Sequence, residues 1–242
     1  MNGCDDPIDV AAHIRRACAQ SELETVFQPM IELESSECIA YEAFTRFPEE
    51  SEWTTADWFR AADALGVGEM LELAAIEAAL GHLDDIPPSA ALAINVSPSV
   101  AVTREFFELV APFAGRLIIE LTEHAPVEDY QALAAGLEDL RRLGARIAID
   151  DVGAGFANFR HILQLSPDIV KLDLSLTHRI EDSPWIRALT AALVDFADAT
   201  GTVIAAEGIE CDVELTLLRE LGVHQGQGYL LGRPSRLEAR LN

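Results

Sequence analysis

The apolar positions of the chain change rhythm as it proceeds. Over residues 7–22, Ile8, Ala11, Ile14, Ala17 and Cys18 recur at helical spacing, with Arg15 and Arg16 on the other side, which predicts an amphipathic helix. Val26–Ile31 and Cys38–Phe44 then read as strands, and the polar link Glu34–Glu37 is too short for a crossover. These two strands must therefore pair antiparallel. Beyond them, short apolar runs (Leu92–Ile94, Leu117–Ile119, Ile147–Ile149, Ile169–Val170 and Val203–Ala206) alternate with helical stretches. Runs that are apolar throughout, without a polar alternate, predict parallel strands covered on both faces.

The helical stretches carry their own punctuation. Leu133, Leu137, Leu140 and Leu143 form a stripe closed by Gly144. Ser183-Pro184 predicts an N-cap with proline at the first helical position, opening a helix with Trp185, Leu189, Leu193 and Phe196 on one face and Gly201 at its end. Asp212 and Gly222 bracket another helix. No linker or compositional break divides the chain. Residues 1–242 therefore read as a single α/β domain with residues 1–22 as a helical lead-in, and its repeated units predict an imperfect TIM-like (β/α)8 barrel whose opening hairpin supplies one antiparallel strand. A doubly wound open sheet is the alternative, weakened by the lack of a glycine-rich phosphate fingerprint after the first strand.

The strand ends carry the chemistry. Glu42 lies late in the second strand, Asn95 follows Leu92–Ile94, and Glu120 follows Leu117–Ile119 with Glu123 shortly after. Asp150-Asp151 follow Ile147–Ile149, Lys171 and Asp173 end the next run, Glu207 follows Ala205-Ala206, and Gln227 sits near the last strand. One such acid is ordinarily a helix cap. A whole rim of them would repel and protonate unless cations joined it. Oxygen donors without imidazole or thiolate favour Mg²⁺ or Mn²⁺ over zinc, and the Asp150-Asp151 pair suggests two ions, as used for in-line phosphoryl displacement.

Composition narrows the partners. With 17 basic and 41 acidic side chains the formal charge is −24, wrong for gripping a nucleic acid polymer or an anionic membrane surface. No apolar run approaches the roughly 20 residues that span a bilayer. The four cysteines show no CxxC pair, so a reducing, cytoplasmic setting is expected. Lys171 is the only lysine among the 17 basic residues. A compact ammonium can fix a metal-bound water or offset charge on a phosphate oxygen where a guanidinium fork is too large. It could also form a Schiff base, a reading that leaves the carboxylates unexplained.

The ordered motifs resemble the EAL-domain cyclic di-GMP phosphodiesterase family, from about Ile14 to Pro234. They are Phe27-Gln28-Pro29, Tyr41-Glu42-Ala43-Phe44-Thr45-Arg46, Asn95-Val96-Ser97, Glu120-Leu121-Thr122-Glu123, Asp150-Asp151-Val152-Gly153-Ala154-Gly155, Lys171-Leu172-Asp173, Ala206-Glu207-Gly208-Ile209-Glu210 and Gln227-Gly228-Tyr229. The resemblance implies hydrolysis of cyclic di-GMP to linear pGpG by in-line attack of a metal-bound hydroxide. Glu42, Asn95, Glu120 and Asp150 would hold one ion, and Asp150, Asp151 and Glu207 the other, partly through water. Lys171, Glu207 and Asp151 would be catalytic, with Lys171 at the nucleophilic water or scissile phosphate. Gln28, Arg46 and Gln227 would bind substrate, and Glu123 would brace the loop after Asp151 that couples metal to a homodimer partner. Ca²⁺ would inhibit, and a sensory domain or partner outside this chain is expected.

Two positions depart from the family's usual pattern. Phe44 stands where leucine is usual, predicting altered packing near Glu42, and Val152–Asn158 lacks a threonine in the metal-coupled loop. The alternative function is a catalytically silent receptor for cyclic di-GMP or a protein-interaction module.

Overall fold

A computed structural model of the chain describes residues 7–19, 23–47, 53–122, 127, 129–153 and 157–237, with residues 7–9, 13, 19, 157 and 158 described by backbone alone. Eight strands close into a barrel in sequence order. They are β1 (Glu24–Glu32), β2 (Cys38–Arg46), β3 (Ala91–Val96), β4 (Leu117–Leu121), β5 (Arg146–Val152), β6 (Ile169–Leu172), β7 (Val203–Ala206) and β8 (Gln225–Gly226). β1 runs antiparallel to both neighbours, β2 and β8, and every other pairing is parallel. The hairpin expected from the short Glu34–Glu37 link is thus the irregular element of the barrel.

The helices lie outside: α1 (Pro7–Ala19), α2 (Thr55–Ala64), α3 (Gly68–Leu80), α4 (Pro98–Ala101), α5 (Arg104–Val110), α6 (Tyr130–Arg142), α7 (Ala157–Leu165), α8 (Leu174–Thr177), α9 (Pro184–Thr200) and α10 (Asp212–Glu220). Two apolar layers result. Outward-facing strand residues such as Ile94, Ile119, Ile149 and Val170 pack under the helices. The barrel interior is filled by Met30, Ala40, Ala91, Ala93, Ile118, Ala148, Ile169 and Ala205. Five of these eight are alanine, which leaves room for a polar layer above them. A separate small core (Ile14, Trp58, Leu71 and neighbours) joins α1 to α2 and α3.

The punctuation falls largely as expected. Ser183 accepts from the amide of Ile186, and Gly144 and Gly201 take left-handed φ values of 101° and 74°. Two readings of helix faces need correction. Leu143 is 48% exposed, because it lies past the last turn of α6 rather than on its stripe. In α9, Trp185, Leu189 and Phe196 face solvent, and the covered side is Thr190, Leu193, Val194 and Ala197. Among the described residues, no helix is long and apolar enough to cross a membrane.

Candidate active site

The polar mouth follows from strand geometry. Side chains two residues apart share a face, so each interior residue predicts what stands above it. Ala40 leads to Glu42, Ala93 to Asn95, Ile118 to Glu120, Ala148 to Asp150, Ile169 to Lys171 and Ala205 to Glu207. In β1, which runs the other way, the equivalent step goes backward, from Met30 to Gln28, and Gln28 stands opposite Glu42 in the β1–β2 register.

Asp151 breaks this rule. A regular strand would send it to the opposite face from Asp150. Between the pairs Ile149–Val170 and Val152–Leu172, two β5 residues face one β6 residue, Lys171. This bulge places Asp151 at φ 52°, an uncommon conformation for a non-glycine residue. As a result Asp150, Asp151 and Glu207 each offer a carboxylate oxygen within 4.8 Å of the others.

At the centre lies the Lys171 ammonium, fully buried. Its Nζ is 2.7 Å from Glu120 Oε2 and 2.7 Å from Glu207 Oε1, 3.0 Å from Asp150 Oδ1 and 3.2 Å from Glu42 Oε2. Asn95 donates to Glu42 Oε1 at 2.9 Å, and Gln227 donates to Glu42 Oε2 at 2.7 Å and to Gln28 Oε1 at 2.8 Å. Gln28 in turn donates to the Gly232 carbonyl at 2.8 Å. One positive charge thus faces four carboxylates.

The electrostatic consequences differ by residue. Burial raises the Glu120 carboxyl well above its ordinary range, and neighbouring Glu42 pushes it further up. Burial likewise raises Glu207, to about 8, with Asp150 and Glu42 adding to the effect and Lys171 opposing it. Glu42 ends below its ordinary value: burial pushes it up, but Lys171, Asn95 and Gln227 outweigh that. Burial also opposes the Lys171 charge, yet Asp150, Glu120, Glu207 and Glu42 together hold its pKa well above the lysine range.

These residues fit divalent cations. The donors are all oxygen, Glu120 Oε1 is buried with no hydrogen bond, and Asp150 Oδ1 meets Lys171 only as an ion pair outside hydrogen-bond geometry. Such under-satisfied carboxylate oxygens suit a hard ion.

Some expected residues stand apart from this cluster. Arg46 is exposed at the end of β2, four positions beyond Glu42, where its charge acts on Glu24. Glu123 lies outside the described residues, as do residues 154–156 of the variant loop. Asp173 caps α8 by accepting from the Ser175 amide at 2.9 Å, the ordinary role of an acid at a strand end.

Phe44 lines a cavity of about 610 Å³ between β2, β3, α2 and α3, which opens beside Asn95 and Thr122. Its polar wall includes Glu72, which accepts from the Ser97 amide and hydroxyl at 2.8 Å each. Burial raises the Glu72 carboxyl above its ordinary value. Glu72 did not stand out in the strand-end reading. The available signal was an acid on the α3 face that also carries Ala75, Ile76 and Ala79, all three of which line the same cavity.

Comparison with known proteins agrees with this geometry. The EAL domain family model matches residues 11–234. The chain belongs to the EAL domain family. A cyclic di-GMP phosphodiesterase of Pseudomonas aeruginosa is 32% identical to this EAL domain over 86% of the chain, which spans 38% of that relative. A probable cyclic di-GMP phosphodiesterase of Escherichia coli is 27% identical over 99% of the chain, spanning 32% of the relative. The chain therefore spans about a third of the length of these curated relatives. Among solved structures, an EAL domain protein from Listeria monocytogenes superimposes with a TM-score of 0.83 at 20% identity, covering 97% of this chain and 95% of that one. A manganese and cyclic di-GMP complex of Klebsiella pneumoniae BlrP1 gives a TM-score of 0.78 at 24% identity, covering 88% of this chain and 56% of that one. These likenesses establish the imperfect barrel as the EAL fold.

Proposed function

We propose that this EAL domain hydrolyses cyclic di-GMP to linear pGpG with two divalent ions, Mg²⁺ or Mn²⁺. The observation that carries the reading is the charge imbalance at the mouth, where Lys171 alone faces Glu42, Glu120, Asp150 and Glu207. The activity named for the Pseudomonas and Escherichia relatives supports the substrate. Glu42, Asn95, Glu120 and Asp150 would hold one ion, and Asp150, Asp151 and Glu207 the second. When bound, such ions supply an activated water and positive charge beside the attacking and leaving oxygens.

The chain's own groups do the rest. Lys171, kept charged by its acidic neighbours, offers its protons to the nucleophilic water or the scissile phosphate. Gln28 and Gln227, already linked to each other, orient the dinucleotide, and Gln227 also holds Glu42 in place. Arg46 at the rim takes a phosphate. The cavity beside Asn95, walled by Phe44 and Phe59, gives an apolar surface for part of the substrate. Glu123 braces the loop that follows Asp151. Ca²⁺, with longer and looser coordination, occupies the site without aligning the attack.

On this reading residues 1–242 act as one catalytic domain, working as a homodimer and answering to a sensory domain or partner outside this chain. A reducing cytoplasm suits its thiols, since Cys18, Cys38 and Cys211 are free.

The test is turnover of labelled cyclic di-GMP with Mg²⁺ or Mn²⁺ by the wild type and by Asp150→Asn. Appearance of pGpG in the first and not the second supports the reading. Unchanged turnover in Asp150→Asn removes the assigned role. Tight binding without turnover at saturating Mn²⁺ makes the domain a receptor instead.

A further inference from the structure

The second cation position depends on two arms of the barrel that do not adjoin in the sheet. Asp150 and Asp151 come from β5 and Glu207 from the end of β7, with β6 between them. The single turn α8, which follows β6, touches both arms. On one side, the Asp173 amide donates to the Val152 carbonyl at 3.1 Å, and Leu176 lies so close to Gly153 that a Cβ there would sit 2.7 Å from Leu176 Cδ1. On the other side, the Glu207 amide donates to the Leu172 carbonyl at 3.1 Å, and Leu174 covers Gly208, where a Cβ would overlap Leu174 Cδ1. Gly153 and Gly208 have φ values of 125° and 66°, so both arms turn on glycine where α8 nests against them.

Thr177 completes this bridge. It is fully buried, and its hydroxyl donates to the Glu207 carbonyl in a short hydrogen bond, with a longer contact of 3.3 Å to the Leu174 carbonyl. Glu207 lies one residue past β7, where its amide is still held by β6, and Thr177 supplies the partner for its carbonyl. A buried hydroxyl is costly to leave unpaired, and valine fills almost the same volume without needing a partner. The hydroxyl is therefore best accounted for by what it holds.

We propose that α8 is the spacer that sets the separation between the Asp150–Asp151 carboxylates and Glu207, and that Thr177 is the positioning residue for Glu207. This rests on the reading of those three acids as divalent-ion ligands. Loss of the Thr177 bond frees the Glu207 carbonyl, loosens the peptide that leads into Gly208 and weakens the second ion selectively. The first ion, held by Glu42, Asn95, Glu120 and Asp150, does not use that arm.

The test is calorimetric titration of the nucleotide-free protein with Mn²⁺, alongside Mn²⁺ electron paramagnetic resonance to report two ions coupled at close range. The expected result is two ions in the wild type. Thr177→Val should bind the second about three- to tenfold more weakly, as one lost hydrogen bond implies, with the first unchanged and Thr177→Ser restoring both. Equal weakening of both ions, or no weakening in Thr177→Val, overturns the proposal. Should Thr177→Val fail to fold, Leu174→Ala removes the half-exposed side chain seated on Gly208 and must show the same selective weakening. Wild-type protein that takes up fewer than two ions overturns the ligand reading itself, a failure visible before any variant is made.

Discussion

Arg116 and Lys171 lie at opposite ends of this barrel, and their surroundings contrast. Arg116, just before β4 at the base, directs its guanidinium at backbone carbonyls: Leu83 at 3.0 Å, Ile86 at 3.0 Å, Pro87 at 3.1 Å and Ala90 at 3.4 Å. Lys171, near the top of β6, faces four side-chain carboxylates. Carbonyl dipoles solvate the guanidinium without bringing any opposing charge to be balanced, so the Arg116 contacts need no further ion and serve to fasten the Leu83–Ala90 turn. Four carboxylates exceed one ammonium by three charges in a buried setting. Such a site is stable only with protons or further cations. The base closes on itself, whereas the mouth stays open to a ligand.

The sharpest way to break this contrast is to remove each cation in turn. Lys171→Met is expected to lower turnover of cyclic di-GMP by about 10²–10³-fold, the effect of deleting one preorganised electrostatic donor. It should also destabilise the metal-free fold by about 3–5 kcal/mol, since buried acids lose their partner. Arg116→Met should cost about 2–3 kcal/mol in denaturant unfolding and leave kcat of the folded fraction unchanged. Similar losses of kcat in both variants would end the distinction.

Divalent ions should separate the two ends next. Mg²⁺ or Mn²⁺ at about 100 times its Kd should stabilise the wild type by about 2.7 kcal/mol. Arg116→Met should gain as much, and Asp150→Asn should gain little. Equal gains in all three, read as shifts in Tm, would place ion binding away from the mouth.

A pH series sharpens the comparison further. Metal-free and folded, Glu207 holds its proton to about 8, against an ordinary 4.5. Its contribution to stability is thus fully present below 4.5 and is lost as pH rises through about 8. Tm of the metal-free protein should fall over that window, and Mg²⁺ should flatten the fall. Glu42, held below its ordinary value, works the other way and loses its contribution as the solution becomes more acid. A metal-free Tm that rises steadily from pH 5 to 8 contradicts the assignment.

The smallest effect belongs to Phe44→Leu. Phe44 lines the cavity and makes no contact with the Lys171 cluster in the ion pairs described above, so a tenfold or smaller change in KM with kcat preserved is expected, in line with a volume change of this kind. A large fall in kcat would tie the cavity wall directly to the chemistry.

Much of this was legible in the chain because period-two alternation is strict. Once Ala40, Ala93 and Ala148 are taken as interior, Glu42, Asn95 and Asp150 must stand above them. The antiparallel hairpin followed from a link too short to do anything else. Other features left no such mark. Asp151 stood out through its pairing with Asp150, but the bulge with φ 52° that brings it to the mouth breaks the alternation and is not announced by a glycine at that position. Trp185, Leu189 and Phe196 share a stripe with the spacing of a buried face, yet periodicity alone does not say which stripe of α9 meets the barrel; the less apolar one, containing Thr190 and Ala197, does. The brief β8 hid a further device. With only two residues in β8, a further point on that edge of β1 is met by Ser235, bridged to Phe27.

The same return of the chain to β1 bears on when the rim of the acidic mouth is completed during synthesis. Gln28 is anchored by Gly232, 204 positions away, and Gln227 reaches Glu42 across 185. Contacts of such long sequence separation form late, because the intervening chain must first be ordered. A ribosome that has already extruded β1 through β7 has therefore made most of the hydrophobic scaffold but not yet a competent rim. The nascent protein should acquire its affinity for divalent ions in one late step, after the stretch around Gly232 clears the exit tunnel.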